Sequence, residues 1–478
     1  VAVFQHVLDL IPSFGSHFRF FFKRMPKELF GTDGIRGLPG KYPLDGATLF
    51  RVGVALGEYI AEHRDAAKSP KVLIGMDTRE SGPEIAGRIA QGLRVAGIEP
   101  VSAGIVTTPG VAWLVHTEDF SAGVVISASH NPYHDNGVKL VSGSGMKFPD
   151  AAEAQIEMRI LAAQMDNSPI PEPVSGSLPA TNALHIDYLS ALRGKIFSGA
   201  NLAGMKIVLD CANGAASTLA PELFRGLGAQ VLTIFDSPDG RNINDHCGSL
   251  HPGKMQEKTV TSGADLGVAF DGDADRAVFS TSSGRYVDGD AVLFAAGRFM
   301  KKTKRLKGET IVGTSMSNLG LERALERDGL KLARVPVGDR YVLEEMLRID
   351  ANLGGEQSGH IIFLDDSTTG DGMLTAVKMA SLVAIAGNLD TLLQDLKVFP
   401  QKIVNVRARS KPPLESLPLV ASALADAEKS LGSSGRVVVR YSGTEPLARV
   451  MVEAERAEDV DRCAQSIASA LESSVGAH

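Results

Sequence analysis

Asp271-Gly-Asp-Ala-Asp-Arg276 sets three aspartates among small residues, directly after the apolar run Gly267–Phe270. Carboxylates this close repel unless a cation binds between them. An all-oxygen donor set suits Mg²⁺ or Ca²⁺ rather than zinc. The loop lacks the spacing and terminal Glu of an EF-hand. Ser129 lies in a second polar turn, Ser127-Ala-Ser-His-Asn-Pro132, also at the end of an apolar run. A serine hydroxyl is a weak nucleophile unless it is activated, or unless it carries the group to be transferred. No Gly-x-Ser-x-Gly elbow is present, which disfavours acyl transfer. A divalent cation placed against Ser129 would polarise a transferring phosphoryl group.

Further polar groups follow the same logic. Asn136-Gly137 reads as a hairpin turn that folds Lys139 back toward Ser129. There Lys139 would neutralise a phosphate or, desolvated, shuttle a proton. Arg36, in Phe30-Gly-Thr-Asp-Gly-Ile-Arg-Gly37, is a candidate phosphoryl clamp. Glu356, Ser358 and His360 alternate in Gly355-Glu-Gln-Ser-Gly-His360, a loop suited to reading sugar hydroxyls. Thr369-Gly-Asp-Gly372 follows it. Arg440, Ser442, Gly443 and Thr444 form a turn whose guanidinium, hydroxyls and backbone N–H groups suit a phosphate dianion. Each motif also has a plainer reading as a solvated turn or a satisfied strand end.

These groups need a scaffold of strands that end in loops. Short apolar runs at Lys71–Met76, Gly123–Ser127, Lys206–Leu209, Gln230–Phe235, Asp265–Phe270 and Thr310–Gly313 read as buried strands. Helical patterns such as Pro83–Ala96 and Leu319–Asp328 lie between them, so the expected class is α/β. Asn167–Ala180 reads as a linker, and further breaks fall near Ser280–Gly289 and Asn388–Gln401. The last part, with strands Lys402–Arg407, Arg436–Arg440 and Arg449–Glu453 and helices Leu417–Leu431 and Ala457–Leu471, reads as a small α+β unit. The expected division is 25–180, 181–284 and 285–398 as α/β domains, with 399–478 as the α+β domain. The strand-to-loop junctions Asp77, Asp210 and Thr314 suggest a faint threefold repeat.

The 478 residues carry a net charge of −7 and no basic stripe, which argues against a nucleic-acid partner. No apolar run is long enough to span a membrane. Cys211, Cys247 and Cys463 are too widely spaced for a disulfide framework or a zinc site, as suits a reducing cytoplasm. Val1–Arg24 is rich in phenylalanine and lacks the marks of a signal peptide. The expectation is that the native chain begins at Met25 and that residues 1–24 are a non-native leader.

Taken together and in this order, the motifs resemble the α-D-phosphohexomutase superfamily from Met25 onward. The loops at 355–360 and 442–446 look like those of its bacterial glucosamine-phosphate branch. The resemblance implies four domains, three related α/β units and a C-terminal one similar to the TATA-binding-protein fold. It implies a catalytic set of Ser129, Lys139, Arg36 and His130, with Ser129 carrying phosphate. Asp271, Asp273 and Asp275 would hold Mg²⁺, with a phosphoserine oxygen on Ser129 completing the site. Arg276 would orient the loop or touch substrate. Glu356, Ser358 and His360 would read the sugar, and Arg440, Ser442, Gly443 and Thr444 would hold the distal phosphate. The implied reaction interconverts glucosamine 6-phosphate and glucosamine 1-phosphate through a 1,6-bisphosphate, with glucosamine or glucose 1,6-bisphosphate as activator. A small sugar phosphate is the implied partner, a homodimer the assembly the family suggests, and the bacterial cytoplasm the location. Glu445 is a candidate for favouring a cationic amino sugar. The competing readings are a glucose or mannose phosphate mutase of the same superfamily, a non-catalytic sugar-phosphate sensor, and a phosphatase using Ser129.

Overall fold

Apolar runs that end in a polar residue recur along the chain, and three of them become the central strands of three sheets. The computed structural model describes residues 28–31, 33–63, 70–165, 170–172, 178–181, 183–442 and 446–476. The Phe-rich stretch 1–24, part of the linker 167–180, and Gly443, Thr444 and Glu445 lie outside the described residues.

The first sheet contains β1 (Ile35–Gly37), β2 (Lys71–Met76), β3 (Glu99–Ile105), β4 (Ala122–Ile126) and β5 (Asn136–Ser142), in the order β1-β5-β4-β2-β3. Strands β3, β2 and β4 are parallel, and β5 returns antiparallel to β4. The second sheet repeats this plan with β6 (Lys206–Asp210), β7 (Gln230–Ile234), β8 (Leu266–Phe270), β9 (Ala277–Thr281) and β10 (Tyr286–Val287), in the order β10-β9-β8-β6-β7. Strand β10 extends this sheet past residue 284. The third has β11 (Thr310–Thr314), β12 (Lys331–Val335), β13 (Leu353–Gly355) and β14 (Ile361–Phe363), in the order β12-β11-β13-β14. Again β14 runs antiparallel to β13.

The faint repeat is therefore a repeat of topology. Its signature is a turn at the end of each central strand. Asp77 accepts from the Arg79 amide at 3.0 Å, Asp210 from Ala212 at 2.9 Å, and Thr314 from Met316 at 3.2 Å. Each of these side chains is buried and satisfies an amide that the strand has left behind.

Alternation along the strands sends side chains to two layers. Leu73 and Val125 face a core that runs on through Leu209, Phe270, Leu353 and Met373, so one apolar interior joins the three sheets. Val72, Ile74, Val124 and Ile126 face the opposite layer. The largely apolar helix Gly372–Ala386 is buried from Gly372 to Val383, and its buried cation Lys378 pairs with Asp366 at 2.9 Å. Asp371 caps it, accepting from the Leu374 amide at 2.9 Å. The fourth sheet, β15 (Gln401–Arg407), β16 (Gly435–Tyr441) and β17 (Leu447–Ala454), is wholly antiparallel in the order β15-β17-β16. The helices Pro418–Leu431 and Ala457–Val475 close a separate core on it. Among the described residues no helix is long and apolar enough to cross a membrane.

Gly359 ties the third sheet to the second. Its φ is +94°, and a Cβ there would lie 2.4 Å from the Ala277 carbonyl oxygen. Gly359→Ala is expected to cost about 1–3 kcal/mol through backbone strain and overpacking. The thermal unfolding midpoint checks this, and an unchanged midpoint would contradict it.

Candidate active site

The topological repeat puts three motifs at equivalent places. The β4–β5 loop carries Ser129, the β8–β9 loop the three aspartates, and the β13–β14 loop Glu356, Ser358 and His360. Each leaves the end of a parallel strand, where α/β folds place their ligands. Ser129 is buried, and its Oγ donates to Asp271 Oδ2 at 2.6 Å. Its φ of +52° is left-handed, an uncommon conformation for a serine. His130 Nδ1 lies 3.4 Å from Ser129 Oγ. Burial, then the charges of Arg276 and Arg36, push its imidazole below the ordinary range.

Asp271, Asp273 and Asp275 are buried and bring one oxygen each within 4.8 Å of one another. Asp273 Oδ1 and Asp275 Oδ1 are buried without a hydrogen-bond partner. Unpaired carboxylate oxygens converging in a buried loop fit a hard divalent cation. Burial, reinforced by Asp275 and Asp273, pushes the Asp271 carboxyl well above its usual range. Burial also disfavours charge on Asp275, but His360, Lys139 and Arg276 outweigh it and hold that carboxyl low.

Lys139 does reach this loop. Its Nζ lies 3.0 Å from Asp273 Oδ2 and 3.0 Å from Asp33 Oδ2. The expected Asn-Gly turn is not what brings it there. Asn136 and Gly137 open β5 itself and pair with Gly37 and Arg36 of β1. A Cβ on Gly137 would lie 2.7 Å from the Ser127 carbonyl oxygen, so the glycine serves close strand approach instead. The reversal is made by the longer loop that contains Ser129. Desolvation would lower the Lys139 pKa, yet Asp273, Asp33 and Asp275 more than offset it and hold the amine charged.

The charges continue around the cleft as a closed ring. Asp33 accepts from Arg36 at 2.7 Å and from Lys147 at 2.7 Å, and Lys147 also donates to Asp339 at 2.6 Å. His360 Nε2 is 3.9 Å from Asp339, and its Nδ1 is 3.5 Å from Asp275. Burial disfavours the imidazolium, but Asp275, Asp339 and Glu356 raise its pKa above the ordinary value. Thr108 donates to Asp273 Oδ2 at 2.6 Å. Sequence reasoning missed Thr108, Lys147 and Asp339 and gave Asp33 no role. Each is an isolated polar residue whose partner is far away in the chain.

The sugar-loop candidates are held at its rim. Glu356 accepts from the Gly338 amide at 2.8 Å, and Ser358 Oγ is 3.5 Å from Glu356 Oε2. Arg276 Nε lies 3.7 Å from Asp275 and is buried without a hydrogen-bond partner. The Thr369–Gly372 motif proves to be scaffold. Gly372 donates its amide to the Ala274 carbonyl at 3.0 Å, which ties the central helix to the aspartate loop. Arg440 stands on the fourth sheet, exposed and opposite Arg449, and among the described residues it bonds to none of these loops. Ser442 is buried at the strand end, and Lys411 donates to its carbonyl at 2.5 Å, adding a cation beside the phosphate-cradle candidates.

Comparison with known proteins places the whole arrangement. The chain is 53% identical over 454 residues to a phosphoglucosamine mutase of Solibacter usitatus, covering 95% of this chain and 100% of that one. It is 48% identical to the phosphoglucosamine mutase of Koribacter versatilis, covering 94% and 98%. Among solved structures, a phosphoglucomutase/phosphomannomutase family protein from Burkholderia thailandensis superposes with a TM-score of 0.76 at 26% identity, covering 94% and 98%. An N-acetylphosphoglucosamine mutase from Aspergillus fumigatus, solved in complex with GlcNAc-6P and magnesium, shares the fold at 18% identity and a TM-score of 0.59, covering 86% and 84%. Models of the four phosphoglucomutase/phosphomannomutase domains match in order, at residues 27–166 for domain I, 185–284 for II, 288–399 for III and 403–470 for the C-terminal domain. The chain therefore belongs to the phosphoglucomutase/phosphomannomutase family.

Proposed function

We propose that the chain acts as a phosphoglucosamine mutase, interconverting glucosamine 6-phosphate and glucosamine 1-phosphate. The observation that carries this reading is the Ser129 hydroxyl, 2.6 Å from one carboxylate of a buried oxygen triad. The relatives from Solibacter and Koribacter, matched over nearly their full length, supply the substrate class.

In this reading Ser129 enters the cycle as a phosphoserine. The sugar's 1-hydroxyl attacks the phosphorus, the P–Oγ bond breaks, a new P–O bond makes the 1,6-bisphosphate, and the hydroxyl's proton passes to the departing Ser129 Oγ. After reorientation in the cleft, Ser129 Oγ attacks the 6-phosphate and regains a phosphoryl group, and the serine proton passes to the product hydroxyl. Asp271, Asp273, Asp275 and a phosphoserine oxygen would hold Mg²⁺, which supplies Lewis-acid polarisation of the phosphoryl oxygens. Lys139, held charged, neutralises the transferring group, and Arg36 supports it from the far side of Asp33. His130 beside Ser129 and Arg276 over the aspartate loop line the path of transfer. Glu356, Ser358 and His360 read the sugar. Arg440, Ser442, Gly443 and Thr444, with Lys411 nearby, hold whichever phosphate is not reacting. Glucosamine 1,6-bisphosphate, or its glucose analogue, restores phosphoserine that has been lost. The reading places the protein in a bacterial cytoplasm, where its three buried thiols stay reduced.

The test is turnover of glucosamine 6-phosphate with Mg²⁺ and catalytic bisphosphate, beside glucose and mannose 6-phosphates. The amino sugar should be strongly preferred, and Ser129→Ala should lose all turnover. Preference for glucose or mannose phosphate would overturn the substrate, and release of inorganic phosphate without isomerisation would overturn the mutase reading.

Metal binding is read without activity. Asp273→Asn keeps the shape of the side chain and removes one charge. Calorimetric titration should show Mg²⁺ affinity reduced by at least about tenfold. A chelator should lower the unfolding midpoint of the unsubstituted chain, because an ion that binds only the folded state stabilises it. Equal affinities in the two proteins would contradict the assignment.

A further inference from the structure

The Ser129 turn is held by groups that take no part in the chemistry described above. Arg79 is fully buried, and its guanidinium donates to the carbonyl oxygens of Ser129 at 3.0 Å and Asn131 at 2.8 Å, and to that of Pro132. The same guanidinium pairs with Asp77 at 2.9 Å. Asp77 Oδ2 also accepts from Ser127 Oγ at 2.6 Å, and Ser127 Oγ in turn accepts from the Ser129 amide at 2.9 Å. From the second sheet's side, Asn244 Nδ2 donates to the same two carbonyls, Ser129 at 2.9 Å and Asn131 at 3.0 Å. Gly272 closes the remaining space, since a Cβ there would lie 2.5 Å from the Ser129 carbonyl oxygen.

A serine at φ +52° does not stay there by its own preference. Here its amide and its carbonyl are both fixed, the carbonyl from two domains at once. From this fixed backbone the Oγ reaches Asp271 Oδ2 at 2.6 Å. The Arg79 bonds to main-chain carbonyls all fall within this one turn, where a purely structural arginine has no need to select the loop that bears the nucleophile. The carbonyl acceptors need a planar multi-donor head, which guanidinium supplies and ammonium does not.

We infer that Arg79 is a positioning residue for phosphoryl transfer, which with Asp77, Ser127 and Asn244 locks the Ser129 turn so that the oxygen meets the metal loop in the same place in both half-reactions. This rests on the reading of Ser129 as the phosphoryl carrier. The three loop carbonyls cannot be left unpaired without risk to folding, so Arg79 itself is a poor first target. Ser127→Ala and Asn244→Gly each remove one side of the lock and little else, glycine being the residue that accepts the φ of +58° at 244 without strain.

The experiment compares these two variants with Ser129→Ala and Ser127→Thr in the mutase assay, together with unfolding midpoints. Ser127→Ala and Asn244→Gly are expected to lose about 10- to 100-fold in kcat, as small misplacements of a reacting atom do. KM for glucosamine 6-phosphate and the midpoint should stay nearly unchanged, and Ser127→Thr, which keeps the hydroxyl, should recover kcat. Full kcat in both variants, with Ser129→Ala inactive, would overturn the inference and leave the mutase reading standing. A kcat loss that tracks the midpoint and is not recovered by Ser127→Thr would also overturn it. An active Ser129→Ala would instead remove the carrier role, and the inference with it.

Discussion

Three carboxylates buried within 4.8 Å of one another repel, and most of the site is arranged around that repulsion. Lys139 answers part of it directly, and His360 and Arg276 approach Asp275 from two further directions. Lys139 is itself balanced by Asp33, and Lys147 joins Asp33 to Asp339. Two carboxylate oxygens remain unpaired at the centre. Those oxygens, of Asp273 and Asp275, are the donor type that a hard divalent cation takes. Against that loop lies the Ser129 hydroxyl, 2.6 Å from Asp271 Oδ2.

One topological position, used three times, makes this possible. The turn after the third parallel strand of each sheet carries in turn Ser129, the three aspartates, and Glu356, Ser358 and His360, which are the proposed nucleophile, metal and sugar loops. Three sheets joined by one core hold those loops at fixed separations, as a reaction sensitive to small displacements requires. The fourth sheet has its own core, and Arg436 of its cradle strand joins it to the third domain by donating to the Ser317 carbonyl oxygen at 2.5 Å. A phosphate site carried on a separate unit suits an intermediate that must turn over between two half-reactions.

Much of this was legible in the residues. Apolar runs flagged β2, β6 and β11 to within a residue, and the expected Gly123–Ser127 appears as Ala122–Ile126. Motif order led to the family, because several weak motifs in one order are jointly specific. The failures have physical causes. Asn136-Gly137 carries the usual hairpin signal, but its glycine answers a close strand approach that only the paired β1 reveals. Arg79 looks like any charged residue near a helix start, and its partners lie 50 or more residues away. Lys147 and Asp339 are 192 residues apart, and no local pattern joins them. Charge networks across domains are properties of the assembled fold.

The central claim is that the phosphoryl group resides on Ser129. The direct measurement is peptide mass spectrometry of the protein after exposure to glucosamine 1,6-bisphosphate and Mg²⁺. One phosphoryl group on the peptide containing Ser129, mapped to that residue and absent from Ser129→Ala, is the predicted result. A phosphoryl group on another residue, or none on a chain that still isomerises the sugar phosphate, would contradict the account.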